Sequence, residues 1–241
     1  MPKKEYYIGN GPNIKSAIPL ELKEIMKVRD INGSALLTLF FISGICNLIY
    51  EIVWARMFNL VFGVTVFAVS AVLAAFMLGL AVGGVVFGRL SEKIKNNIAL
   101  FSLLHAGIFL STIVMLLAFP VFQNIYLLVF KVFNPNFYTF RIILFVLSLF
   151  LMIVPTSLMG ATFPVASKLY AQSGERLGKD IGILYSVNTL GSVLGCMATI
   201  FFLLGTLGMK GSIVLAALAD LAVALAVFAF IKPSLPEEKS K

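Results

Sequence analysis

The stretch ALLTLFFISGICNLIYEIVWARMFNLVF (Ala35–Phe62) holds two charged side chains, Glu51 and Arg56, in an otherwise apolar or weakly polar run. About 20 mostly apolar residues cross the hydrocarbon core of a bilayer as a helix, because a helix satisfies its own backbone hydrogen bonds. The run therefore reads as a membrane span, placed at Ser34–Phe62. Five more segments qualify on the same ground: Thr65–Phe87, Ile98–Ala118, Ile142–Ser167, Ile181–Leu207 and Ser212–Ile231. The expected fold is an all-α integral membrane protein with six transmembrane helices over residues 34–232. A basic tail (1–33) precedes them and a short tail (233–241) follows.

Composition agrees. The chain has 241 residues, of which 60% are hydrophobic and 12% charged, and its mean hydropathy is +1.00. Soluble domains carry about 25% charged residues, and disordered chains lack apolar content. Cys46 and Cys196 sit in apolar runs and read as packing residues, not as a disulfide scaffold. No CxxC, HExxH or paired-His motif points to a metal or haem, so no cofactor is expected. No short apolar core lies near the N-terminus, so no cleaved signal is expected.

The net charge of +8 is a topology signal. Of the 19 Lys and Arg residues, all but Lys131, Arg141, Lys210 and the intra-span Arg56 fall on one side of the six spans. Cytoplasmic loops carry the excess of Lys and Arg, so both termini are expected in the cytoplasm. This distribution argues against nucleic-acid binding and for contact with the lipid bilayer. The expected location is a prokaryotic inner membrane.

Two segments read as amphipathic. Ile18, Leu22, Ile25 and Met26 share one helical face in the N-terminal tail, with Ser16 as a cap and Pro19 in the first turn. This is either an interfacial helix that orients the first span or a docking helix for a cytoplasmic partner. Val121–Val132 is too short to span and is expected as an interfacial helix at about 121–132. Asn134-Pro135-Asn136 then breaks the chain.

Polar residues within spans carry the functional reading, since each intramembrane charge costs about 2.5–3.5 kcal/mol on insertion scales. Ser43, Asn47, Tyr50, Glu51 and Trp54 form one stripe on the first span, and Tyr185, Asn188, Thr189 and Ser192 form another on the fifth. Each stripe either seals helix contacts or lines a cavity. Asn47, Tyr50, Glu51, Tyr185 and Asn188 are the candidate cavity-lining or substrate residues. Arg56 either snorkels to the interface or pairs with a carboxylate on another helix. Asp220, alone on its helix, needs an inward partner. His105 is either a core histidine bonded to a carbonyl or a proton relay.

Pro155, Gly160 and Pro164 mark a helix break or kink in the fourth span. Gly79 and Gly83 on the second span, and Gly191 and Gly195 on the fifth, mark close helix packing. Spans two and five are the middle helices of two three-helix halves, as an internal repeat would require.

Four strings taken together resemble a known family: FFISGICNLIYEIVWARM (Phe40–Met57), VFGVTVFAVSAVLAAFMLGLAVGGVVFGRL (Val61–Leu90), PTSLMGATFPVASKL (Pro155–Leu169) and GILYSVNTLGSVLG (Gly182–Gly195). They are similar to the transmembrane domain of membrane-bound spermidine synthase-like proteins. That resemblance implies a bundle like half of a major facilitator superfamily transporter. Its matching positions are Tyr50, Glu51, Pro155, Gly160, Pro164, Tyr185, Asn188 and Gly191. GGVVFGRLSEK (Gly83–Lys93) is similar to the facilitator loop motif, without its usual acidic residue before the arginine. The soluble aminopropyltransferase domain of the family has no counterpart here, so the chain is not expected to be an enzyme. Two functions remain open. One is transport of a small solute such as a polyamine-like cation, with a homodimer supplying twelve spans. The other is a non-catalytic anchor or assembly subunit for a separately encoded soluble enzyme or for other membrane subunits.

Overall fold

The computed structural model describes residues 20–63, 65–94, 96–133, 136–171 and 176–230, with side chains from residue 33 onward except at Phe133, Phe137 and Phe230. Every element among them is helical: α1 (Leu20–Phe62), α2 (Val66–Lys93), α3 (Asn97–Phe133), α4 (Phe137–Tyr170), α5 (Leu177–Ala198), a π-helical turn (Thr199–Leu203), the short α6 (Leu204–Thr206) and α7 (Gly208–Phe230). Six stretches are long and apolar enough to cross a membrane: Gly33–Phe62, Val66–Lys93, Asn97–Val132, Tyr138–Tyr170, Leu177–Thr206 and Gly208–Ala229. This is the architecture of a polytopic membrane protein. Large apolar side chains crowd its outer surface, among them Phe150 and Phe228, while Asp220, His105, Ser43 and Ser148 are buried inside.

Local sequence sets the turns. Gly63 takes a φ of 87°, which side chains with a Cβ rarely adopt. Thr65 then caps α2, its side chain accepting from the Ala68 N–H at 3.1 Å. Asn96 and Asn136 cap α3 and α4 in the same way, accepting from the N–H of Ala99 and Thr139. Each cap satisfies a donor that the first helical turn leaves open.

Three expectations change. The helix of the N-terminal tail is continuous with the first span from Leu20. Ser16, Pro19 and the tail 233–241 lie outside the described residues. Residues 121–132 form no helix of their own, because α3 runs through Pro120 to Phe133. Burial accounts for this continuity. Phe119, Phe122 and Tyr126 pack on Phe58 and Phe62 of α1, so the apolar face of α3 keeps a partner beyond the proline. Nor do Pro155, Gly160 and Pro164 break α4, which is helical from Phe137 to Tyr170. Hydroxyls help satisfy carbonyls around the prolines: Thr156 donates to Met152 O and Thr162 to Met159 O, both at 2.7 Å.

The helices pair as α1 with α5, α2 with α4, and α3 with α7, while α7 also packs on α1 and α4 on α3. Exchanging the first three spans for the last three leaves this pattern unchanged. The glycines follow it. A Cβ at Gly79 would overlap the Thr156 side chain, and one at Gly83 the Ser157 backbone of α4. On the equivalent pair, a Cβ at Gly191 or Gly195 would overlap the carbonyl of Phe41 or Ile45 on α1. Two glycine-lined seams thus hold backbones in close contact where no hydrophobic force drives helices together.

Candidate functional site

The densest polar arrangement lies where α1, α3 and α7 meet. Asp220 of α7 is fully buried, and each of its carboxylate oxygens has a partner. The Tyr50 hydroxyl of α1 donates to Oδ2 at 2.7 Å, and Nδ1 of His105 on α3 lies 2.8 Å from Oδ1. Tyr50 and His105 are also fully buried. With the carboxylate ionised, Nδ1 carries the hydrogen and donates it, which leaves Nε2 as an acceptor. Nε2 of His105 is buried and has no hydrogen-bond partner among the described residues.

Aromatic rings fix the triad. Tyr50 stacks on Trp54 with centroids 5.2 Å apart and planes 21° apart, and Trp54 packs on Phe76 of α2. The His105 ring meets Phe101 edge-on at 4.7 Å. One turn along the same α3–α7 seam, the Ser102 hydroxyl donates to Ala224 O at 2.8 Å. Phe40 against Phe101 and Phe58 against Phe119 set α1 and α3 in parallel register, so Ser43 of α1 comes level with His105. The Ser43 hydroxyl is likewise buried without a partner among the described residues.

The five residues read as one lining from the sequence divide between two places. Tyr50 belongs to the buried triad. Asn47 and Glu51 sit on a different face of α1. Glu51 is half-buried and makes no ion pair or hydrogen bond among the described residues, and Asn47 Oδ1 is buried and unpartnered. Glu51 lies seven residues beyond Gly44, within about 20° of it on a helical wheel. The backbone of Gly44 touches Asn188 of α5, so Glu51 points along the α5 side of α1. Asn188 bridges the same two helices, its Nδ2 donating to Phe40 O at 3.2 Å, and Ser192 donates to Gly44 O. Tyr185 is 63% exposed, its ring edge-on to Phe163 of α4. Arg56 is exposed on the bundle surface.

His105 and Asp220 each read as an isolated ionisable residue in sequence, and their shared bond with Tyr50 emerges only in three dimensions. A usable signal was present all the same. A lone intramembrane carboxylate needs an internal donor, and the chain has a single histidine, itself in a span.

No family model, no curated protein and no solved structure matches this chain.

Proposed function

We propose that this chain is half of an inner-membrane carrier for a small cationic solute of the polyamine type, acting without catalysis of its own. Glu51 is the solute's counter-charge, and the α1–α5 face forms one wall of its path. The observation that carries this reading is Glu51 itself, a half-buried carboxylate inside an apolar span with no internal partner among the described residues. Intramembrane carboxylates are costly and ordinarily pair within the bundle, as Asp220 does here. One left open on a polar helix face suits a ligand that brings positive charge. Asn47, one turn earlier, adds a buried acceptor, and Asn188 marks the adjoining helix. The solute class rests on the resemblance of the four sequence strings alone to the membrane domain of spermidine synthase-like proteins. A second copy facing the first would complete a twelve-span carrier.

The test is uptake of labelled spermidine into proteoliposomes by wild type and by Glu51→Gln. Loss of uptake in a variant that inserts and unfolds like wild type is the expected result. Equal uptake by the variant removes Glu51 from the path, and no uptake by wild type removes the solute class.

One observation favours the anchor or assembly reading. The outer face of α5 exposes Tyr185, Ser186 and Thr189 among apolar residues, which suits protein contact better than lipid. The mass of the particle extracted in mild detergent separates the two. A homodimer fits the carrier, and a stoichiometric soluble enzyme or foreign membrane subunit fits the assembly role.

A further inference from the structure

We infer that His105, Asp220 and Tyr50 form a proton-binding site in the core of the bundle, with Nε2 of His105 as the atom that takes the proton. This goes beyond the carrier reading and does not depend on it, because the triad lies on another face of α1 and contains none of the residues assigned to the solute.

Charge and geometry carry the inference. The Tyr50 hydroxyl and Nδ1 of His105 meet the two carboxylate oxygens of Asp220 at 2.7 and 2.8 Å, and when the carboxylate is ionised both donate to it as neutral groups. That arrangement holds one net negative charge in a fully buried place. One proton arriving at Nε2 makes the imidazolium, and the site becomes a neutral ion pair without moving any existing hydrogen bond. In that step an N–H bond forms at Nε2 as an O–H bond of hydronium breaks, and nothing is oxidised or reduced. A buried, unpartnered Nε2 is the feature such a site needs, since its lone pair is held by no other donor among the described residues.

Few other ionisable groups bear on the triad. From α1, the buried Cys46 thiol also faces Asp220. Glu51, the residue after Tyr50, projects about 100° away around the helix. Arg89, Glu92 and Lys93 of α2, and Arg141 and Lys168 of α4, stand at the ends of their helices. Lys131 lies in the last turn of α3 and Lys210 in the first turn of α7, far along each helix from His105 and Asp220.

The single histidine makes the test direct. Protein labelled with 15N-histidine and reconstituted in lipid bilayers gives imidazole nitrogen signals from His105 alone. Spectra are recorded from about pH 5 to about pH 8, the window in which histidine ordinarily changes charge. The expected result is a neutral ring with hydrogen on Nδ1 at the upper end and an imidazolium at the lower end. In Asp220→Asn the imidazolium signal is lost at the pH where wild type shows it, because its counter-charge is gone. A ring that keeps one form across the window overturns the proposal, as does an Asp220→Asn protein that titrates like wild type. Wild-type spectra alone are decisive if the variant fails to fold. No solute is present, so failure of spermidine uptake and failure of this proposal are separate outcomes.

Discussion

Tyr50 and Glu51 are consecutive residues with opposite environments. Tyr50 is fully buried, stacked on Trp54 and bonded to Asp220, whereas Glu51 is half-buried and has no internal partner among the described residues. The seam of α1 with α3 and α7 is closed, and both carboxylate oxygens of Asp220 at its centre have partners. The seam of α1 with α5 holds its helices by backbone contact at Gly44, Gly191 and Gly195 and leaves a carboxylate uncommitted beyond them. One helix therefore helps pair a carboxylate on one side and leaves its own carboxylate unpaired on the other. Polarity alone does not distinguish the two carboxylates of these seams, but whether the bundle supplies each with a partner does.

The sharpest way to break the comparison is Asp220→Ala. It leaves the Tyr50 hydroxyl and the His105 N–H buried without an acceptor, and an unsatisfied buried donor costs about 1–3 kcal/mol. Unfolding in mixed micelles should show a loss of that size. A loss below about 1 kcal/mol would mean that the core tolerates the unpaired donors, and the contrast with Glu51 would collapse.

The glycine seams come next. Gly83→Leu drives a side chain into the Ser157 backbone, and Gly195→Leu drives one into Ile45. Overpacking ordinarily costs about 1–3 kcal/mol. Because the two helix pairs exchange under the same swap of halves, the two losses should be alike in the same unfolding assay. A large loss at Gly83 with none at Gly195 would show that the α1–α5 seam is loosely held and free to open.

These contrasts bear on what could be read before the structure was known. The six spans were legible because bilayer thickness and apolar length are local properties, carried by each segment alone. Gly79, Gly83, Gly191 and Gly195 were legible as packing residues by spacing, but their partners Ser157 and Ile45 were not, since spacing names one helix of a pair. Pro155 and Pro164 marked a break or a kink in the fourth span, and α4 is helical through both, so the break is excluded. The triad was the least legible. Tyr50, His105 and Asp220 are separated by most of the chain, and no periodicity on one helix reports that three helices bring them to one point. Tyr185 and Tyr50 looked equivalent as members of polar stripes, and only packing put one outside and the other within.

The smallest effects test the paired neighbours directly. Tyr50→Phe removes one hydroxyl from Asp220 while keeping the ring on Trp54, so a loss of about 0.5–1.5 kcal/mol is expected. Glu51→Gln breaks no hydrogen bond among the described residues and removes a charge that is costly in an apolar span, so it should cause no loss of stability. Measured side by side in the same micelles, the conservative change at the buried residue should therefore cost more than the loss of a charge next to it. The reverse order would show that Glu51 is held by the folded bundle after all, and its carboxylate would then be structural. If the expected order holds, the fold gains little from that carboxylate. A charge that stabilises nothing yet sits inside an apolar span is then accounted for by what it binds.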